Sequence, residues 1–155
     1  MSETLTAPAG FDKFCPELQQ AARALAQLPA LKPEDAPLTH RHTPGLTTRE
    51  IYMRKGQAFV TRIHKWEHQF IVSQGRSRVW APETGWVEIA APYHGITTAG
   101  TQRALVVLED TIWTTMHVTD ITDPDELVAW ATEPMDRLEQ VSLAQWLGKL
   151  EEGEG

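Results

Sequence analysis

Residues Gly56 to Gly75 read GQAFVTRIHKWEHQFIVSQG, and this stretch decides the class of fold. Two runs rich in β-branched and aromatic residues, Ala58 to His64 and His68 to Ser73, flank a corner at Lys65-Trp66-Glu67. Bounded by Gly56 and Gln74-Gly75, they have the length of strands and are too short for helices. The rhythm continues on both sides. Arg49 to Met53 precedes the Lys55-Gly56 turn, and Ser77 to Ala81 and Trp86 to Ile89 follow around Pro82-Glu83-Thr84-Gly85. Arg103 to Leu108 and Thr111 to Val118 come last, joined at Glu109-Asp110. Short strands at close spacing, with no helix between them, specify an all-β antiparallel sandwich or barrel.

Outside this core the pattern changes. Leu18, Ala21, Ala22, Leu25 and Leu28 recur at helical spacing, which predicts an amphipathic helix over 16–28 that Pro29 closes. Pro33, Pro37 and Pro44 make the next stretch mostly loop, with a short edge strand at 38–42. Beyond Asp120 the chain turns helical again. Thr122 or Asp123 is placed to cap a helix through Leu127, Val128 and Trp130, and Pro134 ends it. A last amphipathic segment runs from Ser142 to Leu150. The expected organisation is an arm at 1–15, a helix and loop at 16–46, a β-barrel at 47–119 and a helical extension at 120–155. These 155 residues suit one compact domain with flanking α-helices at both ends.

Charge and composition exclude several roles. The net charge is −7, with the acidic excess in the C-terminal part and no clustered basic face, which argues against nucleic-acid binding. No apolar run approaches the ~18 residues of a membrane span. The single cysteine, Cys15, cannot form an internal disulfide, and the chain opens without a signal-like segment, so a cytoplasmic protein is expected. There is no Gly-rich phosphate loop, Gly-x-Ser-x-Gly elbow, Cys-x-x-Cys pair or His-Glu-x-x-His helix.

The chemistry must therefore come from the strands. On a straight strand His64 and His68 would face the same side but lie roughly 13 Å apart. The corner at 65–67 folds that distance down and lets both imidazoles enter one pocket, as co-ligation at about 2.0–2.1 Å from one ion requires. His117, at the end of the last strand, is the candidate third ligand; the alternative is a half-buried strand residue bonded to backbone. Glu67 is a further candidate ligand if the corner backbone aims it inward, but alternation favours an outward position. Arg62 shares a face with Val60 and His64, and an arginine inside a barrel must be paired or bind an anion. Arg62 and Arg103 are thus candidate carboxylate or phosphate ligands, against the equally weighted alternative of salt bridges to Glu67, Glu88 or Glu109. Trp66, beside the histidines, is a candidate pocket wall. His94 lies in or beside a turn, and His40 and His42 read as structural or surface residues.

The same stretch resembles the first conserved motif of the cupin superfamily. There a glycine precedes a strand ending in a His-x-His pair, a glutamate opens the next strand and a second glycine closes the hairpin. His64 stands at the second histidine, His68 at the glutamate and Gly75 at the closing glycine, while Arg62 replaces the first histidine. Thr98-Ala-Gly-Thr-Gln-Arg103 is similar to the second motif, with Arg103 where a histidine is usual. The strings REIYM, IHKWEH, GTQR and EDTIWTTMH are also similar to those of small cupin-like proteins of tailed bacteriophages and prophages. The resemblance implies an RmlC-like jelly-roll barrel, often dimeric. Two functions follow from different classes. One is a divalent-metal site, Fe2+ or Zn2+, on His64, His68 and His117 that takes a small acidic ligand or substrate. The other is a metal-free, non-enzymatic barrel that binds a small molecule or a partner protein.

Overall fold

The computed structural model describes residues 17–18, 32–133 and 141–142. Glu17 and Leu18 are helical, and the rest of the helix expected over 16–28 lies outside the described residues, as do Cys15 and nearly all of the segment expected to be helical over 142–150. The strands are β1 (Leu38–Thr43), β2 (Leu46–Met53), β3 (Gln57–Val60), β4 (His68–Ala81), β5 (Gly85–Ala90), β6 (Tyr93–Thr97), β7 (Ala104–His117) and β8 (Val141–Ser142). One helix, α1 (Pro124–Ala131), follows β7. Asp123 caps it by accepting a hydrogen bond from the Glu126 amide at 2.9 Å.

Every pairing is antiparallel, and β7 is the hub. It pairs with β4 along one edge, and on the other with β2 through residues 111–117 and β3 through 104–106. β4 in turn carries β6 on its first half and β5 on its second. The two runs expected at 68–73 and 77–81 are a single strand, and so are those at 103–108 and 111–118. The glycine and acidic signals between them mark bulges rather than strand ends, because the β4–β7 register shifts between Val72 and Ser77. Gly75 permits this crossing. Its φ is +87°, and a Cβ there would run into the Asp110 carbonyl and Thr111.

The bulges bend both long strands, so their halves belong to two facing layers. One apolar cluster draws Met53, Phe70, Val72 and Trp113 from one layer and Phe59, Val79, Leu105 and Val107 from the other. The inward parity of β4 changes across the bend: His68, Phe70 and Val72 are buried before it, Ser77, Val79 and Ala81 after it. Two further expectations are corrected. The strand expected at 58–64 ends at Val60: Thr61 still donates to the Arg103 carbonyl, but the Arg103 amide donates to the Thr61 hydroxyl, and the next backbone bond, His64 to Thr101, is out of register. The segment around His94 is β6 rather than a turn, and His94 is exposed on it.

Candidate functional site

The end of the barrel away from the Gly75 bend opens into a cavity of about 810 Å3. His64 stands at its rim on a corner stitched from three sides. Its amide donates to the Thr101 carbonyl at 3.0 Å, its carbonyl accepts from the Gly100 amide at 2.8 Å, and Lys65 donates to the last carbonyl of α1, Ala131, at 2.8 Å. The corner at 65–67 does what its length implies. The His64 and His68 ring centroids are 4.8 Å apart, and His68 is in turn 4.8 Å from His117. All three line the cavity.

Their protonation follows from burial. Desolvation holds His64 well below the usual imidazole value, reinforced by His68, Arg103 and His117. Desolvation lowers His68 too, although its hydrogen bond to Trp66 acts the other way. His117 falls to about 4, through desolvation and then the neighbouring His68. At neutral pH the cluster is therefore uncharged. His68 Nδ1 donates to the Trp66 carbonyl at 3.0 Å, which fixes the tautomer and leaves Nε2 bare. That Nε2 and His64 Nδ1 are buried without a hydrogen-bond partner, whereas His117 Nε2 is engaged by Thr115 Oγ1 at 2.8 Å.

Arginines supply the charge. Arg62 lines the cavity beside Val60 and His64. Arg103 also lines it, resting over the Phe70 ring at 5.3 Å and donating from Nη1 to Thr97 Oγ1 at 3.0 Å. Glu88 and Glu109, weighed as salt-bridge partners for these two, instead flank Arg76, and Glu67 is exposed. The third arginine, Arg49, was missed by the sequence reading. It lies opposite Thr115 across the β2–β7 pair, its Nε is buried without a partner, and desolvation followed by repulsion from Arg62 lowers its pKa. The signal was present: alternation puts Arg49 on the same face as Ile51 and Met53, an arginine on an otherwise apolar stripe. His40 pairs with Arg49 across β1–β2, and its Nε2 is likewise buried and unpartnered, so it backs the site rather than lying free on the surface.

Trp66 does not line the cavity. Its Nε1 donates to the Trp130 carbonyl at 2.8 Å and its ring stacks on Trp130 at 5.7 Å, so it clamps α1 against the histidine corner. His42 is held by Thr47 at 2.8 Å. On the α1 side the lining includes Asp125, which is exposed, and Glu133.

A metal ion would find two of its ligands ready in this donor set. Two bare nitrogens, His64 Nδ1 and His68 Nε2, are available as donors, while Arg62 and Arg103 bring positive charge to the same cavity. Among the described residues no group of three His, Cys, Asp or Glu side chains is arranged to hold an ion. No helix among them is long and apolar enough to cross a membrane.

No protein-family model and no curated protein matches the chain. Solved structures do. Salicylate 1,2-dioxygenase from Pseudoaminobacter salicylatoxidans, in a structure of its gentisate adducts, is similar with a TM-score of 0.53 at 14% identity, covering 74% of this chain and 34% of that one. This chain thus spans about a third of the dioxygenase. Ectoine synthase from P. lautus gives a TM-score of 0.53 at 7% identity, covering 68% of this chain and 80% of that one. Both are cupin-fold proteins, and the likeness establishes the fold of this chain as an antiparallel jelly-roll barrel of that type.

Proposed function

We propose that this chain is a cupin-like protein whose barrel binds a small organic anion, with a carboxylate as the group recognised. The observation that carries the reading is Arg49, a guanidinium whose Nε is buried without a partner at a cavity that Arg62 and Arg103 also line. Desolvated cations of this kind are costly unless an anion completes them, and the guanidinium fork matches a carboxylate's two oxygens. The neutral histidines then serve as hydrogen-bonding walls. The test is a thermal-shift and calorimetric screen of small carboxylates and phosphates against the wild type, Arg49→Met and Arg103→Met. Saturable binding to the wild type that both variants weaken supports the reading; no binding by any anion removes it.

A second reading is favoured by the tautomer of His68, whose Nδ1 bond to a backbone carbonyl is the outer-shell arrangement common to metal-bound imidazoles. In it one divalent ion, Fe2+ or Zn2+, sits on His64 and His68, with His117 completing the set after releasing Thr115. Metal analysis of protein purified without an affinity tag decides. A stoichiometric ion lost in His64→Ala and His68→Ala supports it, and none under metal loading overturns it.

The phage-like strings quoted above support an origin in a tailed phage or prophage. Leu38, Tyr93 and Ile96 are exposed on β1 and β6, which pair on one edge only among the described residues, and this supports a homodimer that light scattering would detect.

A further inference from the structure

The cavity is graded along its depth, and both layers carry the same gradient. On the β2–β7 side the opposed pairs run from Arg49 with Thr115, through Ile51 with Trp113, to Met53 near the bend. On the β3–β7 side Thr61 and Arg103 stand at the mouth, and Phe59 pairs with Leu105 below them. Past the Ile51–Trp113 level the lining is apolar on both sides. Four residues of strand from Arg49 to Met53 amount to roughly 13 Å. A volume of about 810 Å3 is far more than a bare carboxylate fills, and lies in the range of pockets for organic ligands.

Resting on the anion reading above, we infer that the ligand is a monocarboxylate amphiphile, its head held at the mouth by Arg49 and Arg103. Its single apolar tail, of medium length within the ~13 Å of strand, points toward Trp113, Phe59 and Met53. The apolar depth rejects a second charge, because a carboxylate there would be desolvated with no partner. It also rewards each added methylene by the usual transfer term.

The test uses the wild-type chain and calorimetry with acetate, butanoate, hexanoate, octanoate, octanedioate and 1-octanol. Affinity is expected to rise about fourfold per buried methylene, and octanedioate to bind at least tenfold more weakly than octanoate. Quenching of fluorescence by 8-bromooctanoate reports where the tail lies, and it should fall sharply in Trp113→Phe, a substitution that keeps an aromatic ring in place. Acetate or octanedioate binding as tightly as octanoate, or quenching unchanged in Trp113→Phe, overturns the inference while leaving the anion reading intact. If 1-octanol matches octanoate, the anion reading fails instead, and with it the carboxylate head of this proposal.

Discussion

Arg49→Met separates a structural arginine from one kept for a ligand. The guanidinium presents a buried, unpartnered Nε, and beyond desolvation the charge acting on it is the repulsive Arg62. A buried unsatisfied donor costs about 1–3 kcal/mol, and replacing buried ionic groups with apolar ones of similar volume is often stabilising by about 1–4 kcal/mol. Methionine reaches as far as the Nε of arginine and would extend the apolar stripe of Ile51 and Met53. The ligand-free variant is therefore expected to be more stable than the wild type by about 1–3 kcal/mol, or a few degrees in Tm at about 2–4 °C per kcal/mol for a chain of this size. Carboxylate binding should weaken at the same time by tenfold or more, the loss of one charge-assisted bidentate contact. Urea unfolding without ligand and calorimetry with octanoate measure the two effects. A variant destabilised by more than about 1 kcal/mol that still binds carboxylates normally would refute the reasoning, because Arg49 would then be holding the fold rather than awaiting an anion.

Three further outcomes are expected. The histidine cluster makes stability pH-dependent: the folded pKa values lie below 6.5, so the unfolded chain binds more protons between pH 6.5 and about 4, and stability falls as pH drops through that window. For His117 alone, a fall from 6.5 to about 4 at about 1.4 kcal/mol per pH unit gives up to about 3 kcal/mol. Urea midpoints at pH 7.5, 5.5 and 4.5 should decline less steeply in His117→Asn, and identical slopes would contradict the assignment. Gly75→Ala should destabilise by at least about 2 kcal/mol in urea, since it combines a positive φ with overlap of Asp110 and Thr111 on the crossing strand. Asp123→Ala should cost about 1 kcal/mol through the lost cap. Hydrogen exchange should show that loss first in α1, and a uniform change across the barrel would speak against a local cap.

Strand class, the two-histidine corner and the arginines at the cupin positions were legible because they are local. Alternation, turn residues and a three-residue bend are properties of neighbours in sequence. What was misread involves partners far along the chain. The long strands were divided at Gln74-Gly75 and Glu109-Asp110, since a bulge and a turn draw on the same residues, and only pairing of β4 with β7 on both sides distinguishes them. Trp66 stood beside the histidines in sequence, yet its ring is claimed by Trp130, supplied by a helix that follows the whole barrel. Arg49 went unnoticed although its stripe was visible, because its importance depends on Thr115 and His117 lying across from β2.

The amino-acid order by itself determined that this is an all-β chain and that His64 and His68 can meet, through short-range backbone geometry that needs no distant partner. Only the tertiary structure decided which other side chains join them. Burial and desolvation are set by what packs against a group, and here that packing brings β2, β4, β7 and the 61–64 corner to one end of a bent sheet, making the histidines neutral and leaving the Nε of one arginine without a partner.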